Sequence, residues 1–136
     1  MSRHWKTVTL GTTEQATTAD YFADTGEILR PFSPAHLRGE RIASSATVSF
    51  TLVRRSRYDY NTYWDIALGE TTEKYEVDFY SSTVFLRTVS TTAPSVAYTS
   101  SQRVSDGMAD PSREVTSYVF QISSKVGRGH PATATI

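Results

Sequence analysis

The fold of this chain follows from the stretch ATVSFTLVRRSR, residues 46–57. Its apolar residues alternate strictly with hydroxyl-bearing residues, which is the pattern of a β-strand that has one buried face and one polar face. The apolar side consists of Val48, Phe50 and Leu52, and the polar side of Thr47, Ser49 and Thr51. The strand then runs into three arginines, Arg54, Arg55 and Arg57. The sequence therefore predicts a half-buried strand whose polar face and basic end can meet a binding partner.

Length and composition limit the class of protein. The chain has 136 residues, which is the length of one domain, so a single domain over 1–136 is expected. Its 14 basic and 14 acidic residues cancel, so nucleic-acid binding would require one basic face rather than a basic surface all round. The absence of cysteine excludes disulfides, thiolate catalysis and cysteine-based zinc sites. No window approaches the roughly 18 apolar residues of a membrane helix, and no membrane partner is expected.

An N-terminal hairpin is predicted before the central strand. Residues 5–10 alternate between two faces and end at a Gly-Thr-Thr turn, which is typical of a hairpin strand. Residues 21–30 contain two short strand-like pieces around a turn at 24–26. Residues 35–45 are polar and are expected to form a connection.

A meander of long strands is predicted next. Residues 62–68 alternate as the central strand does, and residues 74–89 form a long run of β-prone residues. The apolar parity of that run changes near Ser81, which indicates a bulge or a change of sheet face. Because short turns join these runs to residues 46–56, all three are expected to lie side by side in one antiparallel sheet that spans about 5–90.

Two short helices are predicted over about 93–124. Thr92 suits an N-cap and Pro94 suits a first helical turn. The apolar residues of the second helix recur at helical spacing, at Val115, Tyr118, Val119 and Ile122. Helix is favoured, but residues 115–122 also alternate as a strand would and contain β-branched side chains. Residues 127–136 are expected to form an extended tail.

No motif for catalysis is present. The histidines and carboxylates that could take part in chemistry are His4, His36, His130, Asp65, Glu76 and Asp78. The histidines have no metal-ligand spacing, and the carboxylates are expected to be solvated or paired with basic side chains rather than to form an acid/base pair. Glycine-rich phosphate loops and serine nucleophile motifs are missing. The chain is therefore expected not to be an enzyme and to need no cofactor or metal.

The polar face of the meander is the predicted binding surface. Hydroxyls can bind phosphates or base edges, tyrosine can stack on an unpaired base, and basic side chains supply the electrostatic attraction. The predicted RNA-binding residues are Thr47, Ser49, Thr51, Arg54, Arg55, Arg57, Tyr63 and Lys74. A plain solvent-facing sheet fits the same pattern. The opposite, apolar face needs a cover that two short helices barely provide, which favours an obligate homodimer.

The order of these elements resembles the coat protein of single-stranded RNA bacteriophages. Residues 47–51, followed by Arg54 and Arg55, are similar to the RNA-facing strand of that family. Residues 85–90 and the Ser/Thr/Ala/Pro-rich segment after them resemble its junction between last strand and first helix. The resemblance implies an α+β fold, in which an N-terminal hairpin and an antiparallel meander sheet precede two C-terminal helices, and two copies interlock as a homodimer.

The same resemblance implies a function. Such a capsid protein assembles from dimers into an icosahedral shell, binds the single-stranded RNA genome on its inward sheet face and represses replicase translation. Its expected location is the virion, assembled in the host cytoplasm. Two alternatives stay open at this point. One is a jelly-roll capsid or phage tail-associated structural protein, in which residues 115–122 form a strand. The other is a carbohydrate-binding β module that uses Trp64 and the tyrosines.

Overall fold

A computed structural model of the protein describes residues 2–5, 8, 10–18, 20–23, 27–56 and 69–136. Within these residues the regular structure is almost entirely β, with one six-residue α-helix and two short 3-10 turns. The strands, in chain order, are β1 Ser2–Trp5, β2 Asp20–Ala23, β3 Ala35–Ile42, β4 Thr47–Val53, β5 Tyr75–Ser81, β6 Val84–Thr91, β7 Ser95–Tyr98, β8 Thr116–Ser123 and β9 Gly127–Thr135. The helix, α1, is Ser100–Ser105, and the turns are Glu14–Ala16 and Glu27–Leu29.

Seven of these strands form a β-sandwich. The order in the three-stranded sheet is β3-β4-β7, and the order in the four-stranded sheet is β6-β5-β8-β9, with every neighbouring pair antiparallel. The inward-facing residues of both sheets meet in one core, which is how two packed sheets bury their apolar faces. The core residues on these strands are Val48, Phe50, Leu52, Tyr75, Val77, Phe79, Val96, Tyr98 and Val119. β1 and β2 form a separate two-stranded sheet.

The strand predicted at residues 46–56 is confirmed as β4. Val48 and Phe50 are fully buried, whereas Thr51 on the opposite face is exposed.

The change near Ser81 in which alternate residues are apolar has two causes. Residues 82–83 form a tight turn between β5 and β6, with Ser82 at a φ of 55°. The register of the two strands then shifts between Phe79 and Tyr80, which leaves one extra residue, Leu86, on β6 as a bulge.

The predicted α+β fold with two C-terminal helices is wrong. Residues 93–124 contain β7, the short helix α1 and the eight-residue strand β8, and residues 127–135 are β9 rather than a tail. The helix also begins later than predicted, because its N-cap is Thr99, whose side chain accepts from the backbone of Gln102 while the Gln102 side chain accepts from the backbone of Thr99. Thr92, the predicted cap, lies between β6 and β7.

The polarity of β8 explains why helical spacing was misleading there. Its inward positions include three polar residues, Ser117, Gln121 and Ser123, and all three are buried. Three of its four outward positions carry larger and more apolar side chains, Tyr118, Phe120 and Ile122, and the fourth is Thr116. The usual rule of apolar inside and polar outside is inverted along this strand, so alternation in the sequence did not indicate which face was buried.

The predicted single meander sheet and the interlocked dimer are also wrong. β4 and β5 do not lie side by side, because Phe50 and Phe79 face each other across the sandwich with ring centroids 5.7 Å apart. The polar segment 35–45 is mostly β3, which pairs with β4 along its edge. Since β5 and β8 of the same chain cover the apolar face of β4, helices from a partner are not needed for that purpose. The strand predicted at 62–68 lies outside the described residues.

Two arginines form hydrogen bonds that link the segment between α1 and β8 to β3 and to the turn between β3 and β4. Arg103 is 2% exposed, and its guanidinium donates to the carbonyl oxygens of Ala46 at 2.9 Å and Asp110 at 2.8 Å. Arg41, on β3, donates to the carbonyl oxygens of Pro111 and Arg113, the latter at 2.9 Å. These bonds give backbone acceptors of an irregular segment partners within the protein. No helix of the described part is long and apolar enough to span a bilayer.

The backbone of residues 31–34 packs against β9 at a glycine. The amide of His130 donates to the carbonyl oxygen of Pro31 at 2.9 Å. A Cβ atom at Gly129 would lie 2.6 Å from that oxygen and 3.1 Å from the carbonyl oxygen of Gln121. Gly129 therefore permits a close approach of two backbones that any side chain would prevent.

We expect Gly129→Ala to lower the free energy of unfolding by about 1–3 kcal/mol, because the added methyl group meets backbone atoms that cannot rotate away. Urea denaturation followed by tryptophan fluorescence measures this change. Thr133→Ser, at an exposed position of the same strand, is the matched control and should cost less than about 0.5 kcal/mol. Equal stabilities for Gly129→Ala and the control would show that the close approach does not constrain the fold.

Candidate functional site

The predicted hydroxyl residues lie on the outer face of the three-stranded sheet. Ser49 is paired with Glu40 and Thr51 with Arg38 on β3, while Thr47 is opposite Ile42. These pairs surround a depression of about 300 Å³ lined by Arg38, Gly39, Glu40, Ser49 and Thr51. Its two charged side chains have opposite sign, so this face carries no net positive charge from them.

Three of the other predicted site residues, Arg54, Arg55 and Lys74, are described, and none of them lines this depression. Arg54 forms an ion pair with Glu73 at 3.2 Å, and the guanidinium carbon of Arg55 lies 5.1 Å from the ring centroid of Phe32. Lys74 is exposed just before β5, which belongs to the other sheet. Arg57 and Tyr63 lie outside the described residues. The surface predicted to join the central strand with Lys74 is therefore not formed, because the two strands are in different sheets.

A different surface is built on the outer side of the four-stranded sheet. Four aromatic side chains point outward there, and we refer to them as the aromatic face: Tyr80, Phe85, Tyr118 and Phe120. β-pairing positions them, since Tyr80 is opposite Phe85, and Tyr118 and Phe120 are opposite Asp78 and Glu76. The register shift at Leu86 brings Phe85 to this side of β6.

Three rings of the aromatic face form one edge-to-face array. The centroids of Tyr80 and Phe85 are 5.5 Å apart with their planes at 70°, and those of Tyr80 and Tyr118 are 5.3 Å apart at 76°. This is the geometry that the ring quadrupoles favour. Phe85 nevertheless remains 52% exposed. The array is thus ordered by its own contacts, with Phe85 exposed and the two tyrosines half-buried.

An ionic network, the Arg128 cluster, lies next to the rings and consists of Arg128, Glu76 and Asp78. The Arg128 guanidinium donates from Nε to Oε2 of Glu76 at 2.7 Å, from Nη1 to Oδ2 of Asp78 at 2.6 Å and from Nη2 to Oδ1 of Asp78 at 3.0 Å. The same guanidinium stacks over Phe120, with its central carbon 4.6 Å from the ring centroid. The Oγ1 atom of Thr88 donates to Oδ1 of Asp78 at 2.6 Å.

These contacts set the protonation of the network. Burial alone would raise the pKa of Asp78, but hydrogen bonds from Arg128 and Thr88, together with the charge of Arg128, outweigh it and lower the pKa. The hydrogen bonds to Asp78 are the main reason that the pKa of Arg128 is raised. Asp78 is therefore an ionised carboxylate near neutral pH, and Arg128 stays charged.

The sequence contained part of this site. Glu76 and Asp78 were expected to be solvated or paired with basic side chains, and they pair with Arg128, which no sequence pattern singled out. The alternation of Tyr118 and Phe120 was visible, but it did not show that these rings lie on the outer side of the sheet. Of the histidines, His130 has Nε2 at 3.4 Å from Oε1 of Glu27. No group of three or more His, Cys, Asp or Glu side chains in the described residues could hold a metal ion.

Comparisons with known proteins bear on the fold alone. No protein-family model and no curated protein matches the sequence. Domains d3–d4 of the rat CD45 extracellular region superpose with a TM-score of 0.57 at 12% identity, over 98% of this chain and 62% of that one. A structure described as a myokine gives a TM-score of 0.51 at 14% identity, over 78% of this chain and 95% of that one. A central fibronectin-III array of RIM-binding protein gives only 0.45 at 16% identity, over 79% of this chain and 35% of that one.

The class of protein that follows is an all-β sandwich. This two-sheet antiparallel architecture is common to fibronectin type III and immunoglobulin domains, and the chain spans about 62% of the length of the CD45 structure that it resembles. The resemblance to RNA bacteriophage coat proteins is therefore wrong, and with it the capsid function. Residues 47–51 alternate because they form a sandwich strand, and many unrelated proteins use such strands.

We expect Arg128→Met to lower the free energy of unfolding by about 1–3 kcal/mol at pH 7, because the nearly buried Asp78 carboxylate loses its countercharge. The figure is below that of a fully buried pair, since 38% of the Arg128 side chain is exposed and screened by solvent. The pKa of Asp78 is lowered in the folded protein, so the ion pair stabilises the fold above the unfolded value of about 3.9 and is lost as the pH falls below it.

The cost of Arg128→Met should therefore shrink as the pH falls from 5 through the lowered pKa of Asp78, because the ion pair is lost when that carboxylate is protonated. Urea denaturation of both proteins across this range measures the difference. Arg38→Met, at an exposed position on the other sheet, is the control and should show no such pH dependence. A cost for Arg128→Met that is constant with pH would mean that the pair with Asp78 does not stabilise the protein.

Proposed function

We propose that this chain is a non-catalytic β-sandwich module that binds another protein through the aromatic face. The observation that carries the proposal is the inverted polarity of β8. Ser117, Gln121 and Ser123 take up buried positions, while Tyr118 and Phe120 point to the outside. A solvent-facing sheet surface is normally polar, so aromatic residues placed there favour a partner that covers them.

The composition of this surface supports a protein partner. Tyrosine, phenylalanine and arginine are enriched in protein interfaces, and tyrosine and arginine contribute most to binding when they are buried at the centre. Here Tyr80, Tyr118 and Arg128 lie together, flanked by the hydroxyl side chains of Thr88 and Thr133. Such an arrangement of apolar rings with a polar border matches the anatomy of a transient interface.

Ring geometry favours a protein over a sugar. A sugar ring stacks on a flat aromatic face that is open to solvent. The planes of Tyr80 and Tyr118 are 76° apart, and Phe120 already carries the Arg128 guanidinium on its face. The rings therefore form a corner, with the edge of one ring against the face of the next, rather than the flat open surface on which a sugar ring stacks. The sequence also predicted, as an alternative, a carbohydrate-binding β module that uses Trp64 and the tyrosines. That alternative would use the same two tyrosines, whereas Trp64 lies outside the described residues.

The state of the carboxylates supports a non-catalytic role for this surface. A general acid must hold a proton near neutral pH, and a general base must be free to accept one. Asp78 is held as an anion by Arg128 and Thr88, and Glu76 accepts from the same guanidinium. Both groups are thus engaged in positioning Arg128 next to Phe120.

We expect Phe85→Ala and Tyr118→Ala each to weaken partner binding at least about 30-fold, the loss that corresponds to a hot spot of about 2 kcal/mol. The immobilised protein and its variants are incubated with extract of the source organism, and the retained proteins are quantified by mass spectrometry. The dissociation constant is then measured with the purified partner. Val53→Ala, an apolar truncation that is 41% exposed on the other sheet, is the matched control.

A partner retained equally by the wild type and by both aromatic variants would contradict the proposal, as would equal loss with Val53→Ala. Thermal denaturation establishes that each variant is folded. A glycan array is probed in parallel, and glycan binding that both aromatic variants abolish would establish the carbohydrate-binding alternative instead. Self-association, which the sequence predicted as a homodimer, stays a prediction, and sedimentation velocity of wild type and Tyr118→Ala tests it.

A further inference from the structure

We infer that the aromatic face contains a pocket for a cationic side chain, lysine or arginine, of the partner protein. The inference rests on the proposed function for the nature of the partner, but the site itself is defined by geometry. It is a shallow depression of about 380 Å³ next to the turn between β5 and β6, lined by Asp78, Tyr80, Ser82, Thr83, Tyr118 and Phe120.

The aromatic walls of the depression suit a cation. An ammonium or guanidinium group is attracted to the negative face of an aromatic ring when it lies within about 6 Å of the centroid. Because Tyr80 and Tyr118 meet at 76° with centroids 5.3 Å apart, a group in the corner between them is within that reach of both rings. Phe120 adds a third aromatic side chain to the lining.

The Arg128 cluster has a net negative charge, and its Asp78 is one of the residues that line the depression. Glu76 and Asp78 contribute two negative charges and Arg128 one positive charge, which leaves a net charge of −1 for the Arg128 cluster. Asp78 is only 7% exposed and accepts three described hydrogen bonds, one from Thr88 and two from Arg128. A carboxylate has about four acceptor positions, so one position on Asp78 remains for an incoming donor.

The same surface already holds one cation. The Arg128 guanidinium lies over the ring of Phe120 with its carbon 4.6 Å from the centroid, and its charge is balanced by Glu76 and Asp78. Arg128 thereby occupies one face of Phe120, whereas the contacts described for Tyr80 and Tyr118 are with other rings and not with a cation. The hydroxyl side chains of Ser82 and Thr83 line the depression and can accept hydrogen bonds from an ammonium or guanidinium group.

The test compares N-acetyl-lysine and N-acetyl-arginine methylamides with N-acetyl-norleucine methylamide, which has the aliphatic chain of lysine without its ammonium group. Each probe is titrated into the isotopically labelled full chain, and chemical shifts are followed by NMR. We expect saturable shifts at β5, β8 and the turn between β5 and β6, with at least tenfold tighter binding for the two cationic probes. The affinity for the two cationic probes should fall as the sodium chloride concentration is raised, because the attraction is ionic.

Two substitutions separate the ring from its hydroxyl. Tyr118→Phe keeps the aromatic face and should retain binding of the cationic probes within about threefold, whereas Tyr118→Leu should abolish it. Thr51→Ala, on the outer face of the other sheet, is the control and should bind as the wild type does. The amide spectra of all variants show whether the sandwich is intact.

Three results would overturn the inference. They are equal affinity for the norleucine probe, undiminished binding by Tyr118→Leu, and shifts confined to the three-stranded sheet. Failure here can be told apart from failure of the proposed function. If a protein partner still requires Phe85 and Tyr118 while the cationic probes show no preference, the face binds a partner without a cation pocket. If the probes bind as expected while no partner depends on these rings, the pocket stands and the protein-binding proposal fails.

Discussion

The packing of Phe79 against Tyr98 and Phe50 is the contact on which the rest of the sandwich depends. Phe79 belongs to the four-stranded sheet, while the other two rings belong to the three-stranded sheet. The rings of Phe79 and Tyr98 are nearly parallel, at 11°, with centroids 4.6 Å apart. Because all three are fully buried, they set how far apart the sheets lie and which residues of each strand face inward. Such pairs contribute about 0.5–1.5 kcal/mol each beyond the area they bury.

Tyr98 extends this contact to the edge of the sandwich. Its hydroxyl donates to Oδ2 of Asp106 at 2.7 Å, and the Arg87 guanidinium donates to both oxygens of the same carboxylate at 2.5 and 2.7 Å. Burial and the hydrogen bond to Asp106 raise the pKa of Tyr98, so the phenol remains a donor. The end of α1 is thereby tied to β7 and β6. The position of β6 in turn places Phe85 next to Tyr80 on the outer side.

Burial of polar residues on the inner side of β8 leads directly to the candidate site. In a strand, successive side chains point to opposite faces, so inward Ser117, Gln121 and Ser123 leave Tyr118 and Phe120 outside. The Ser117 hydroxyl donates to the carbonyl oxygen of Ala134 at 3.2 Å, which satisfies one of these buried groups. A strand with the same composition and the opposite register would have a better core and no aromatic face. The observed register therefore leaves outside the sandwich two aromatic rings that the opposite register would have buried.

The local sequence pattern alone was sufficient to predict β4. Val48, Phe50 and Leu52 are apolar and alternate with hydroxyl residues, and they have no competing helical period. The pattern also indicated β-structure across 74–89, and it predicted that Glu76 and Asp78 are either solvated or paired with basic side chains. Sheet membership could not be read in this way, since strands in one sheet and strands in facing sheets have the same period of two. Of the two helices predicted over 93–124, the structure has only the six-residue α1. The second prediction was wrong because residues 116–123 form a strand of inverted polarity, which has no local signal that distinguishes its buried side.

By itself, the sequence determined that this chain is rich in strands with one buried face, that its charges balance and that it has no cysteine chemistry. Only the tertiary structure decided that β4 and β5 lie in different sheets, that Arg128 reaches Asp78 from fifty positions away, and that Tyr80, Phe85, Tyr118 and Phe120 share one outer surface. The physical reason is that these relations depend on register and on contacts between distant segments. Alternation of side-chain types along a strand shows only that the strand has two faces, whereas packing between the sheets determines which face is buried.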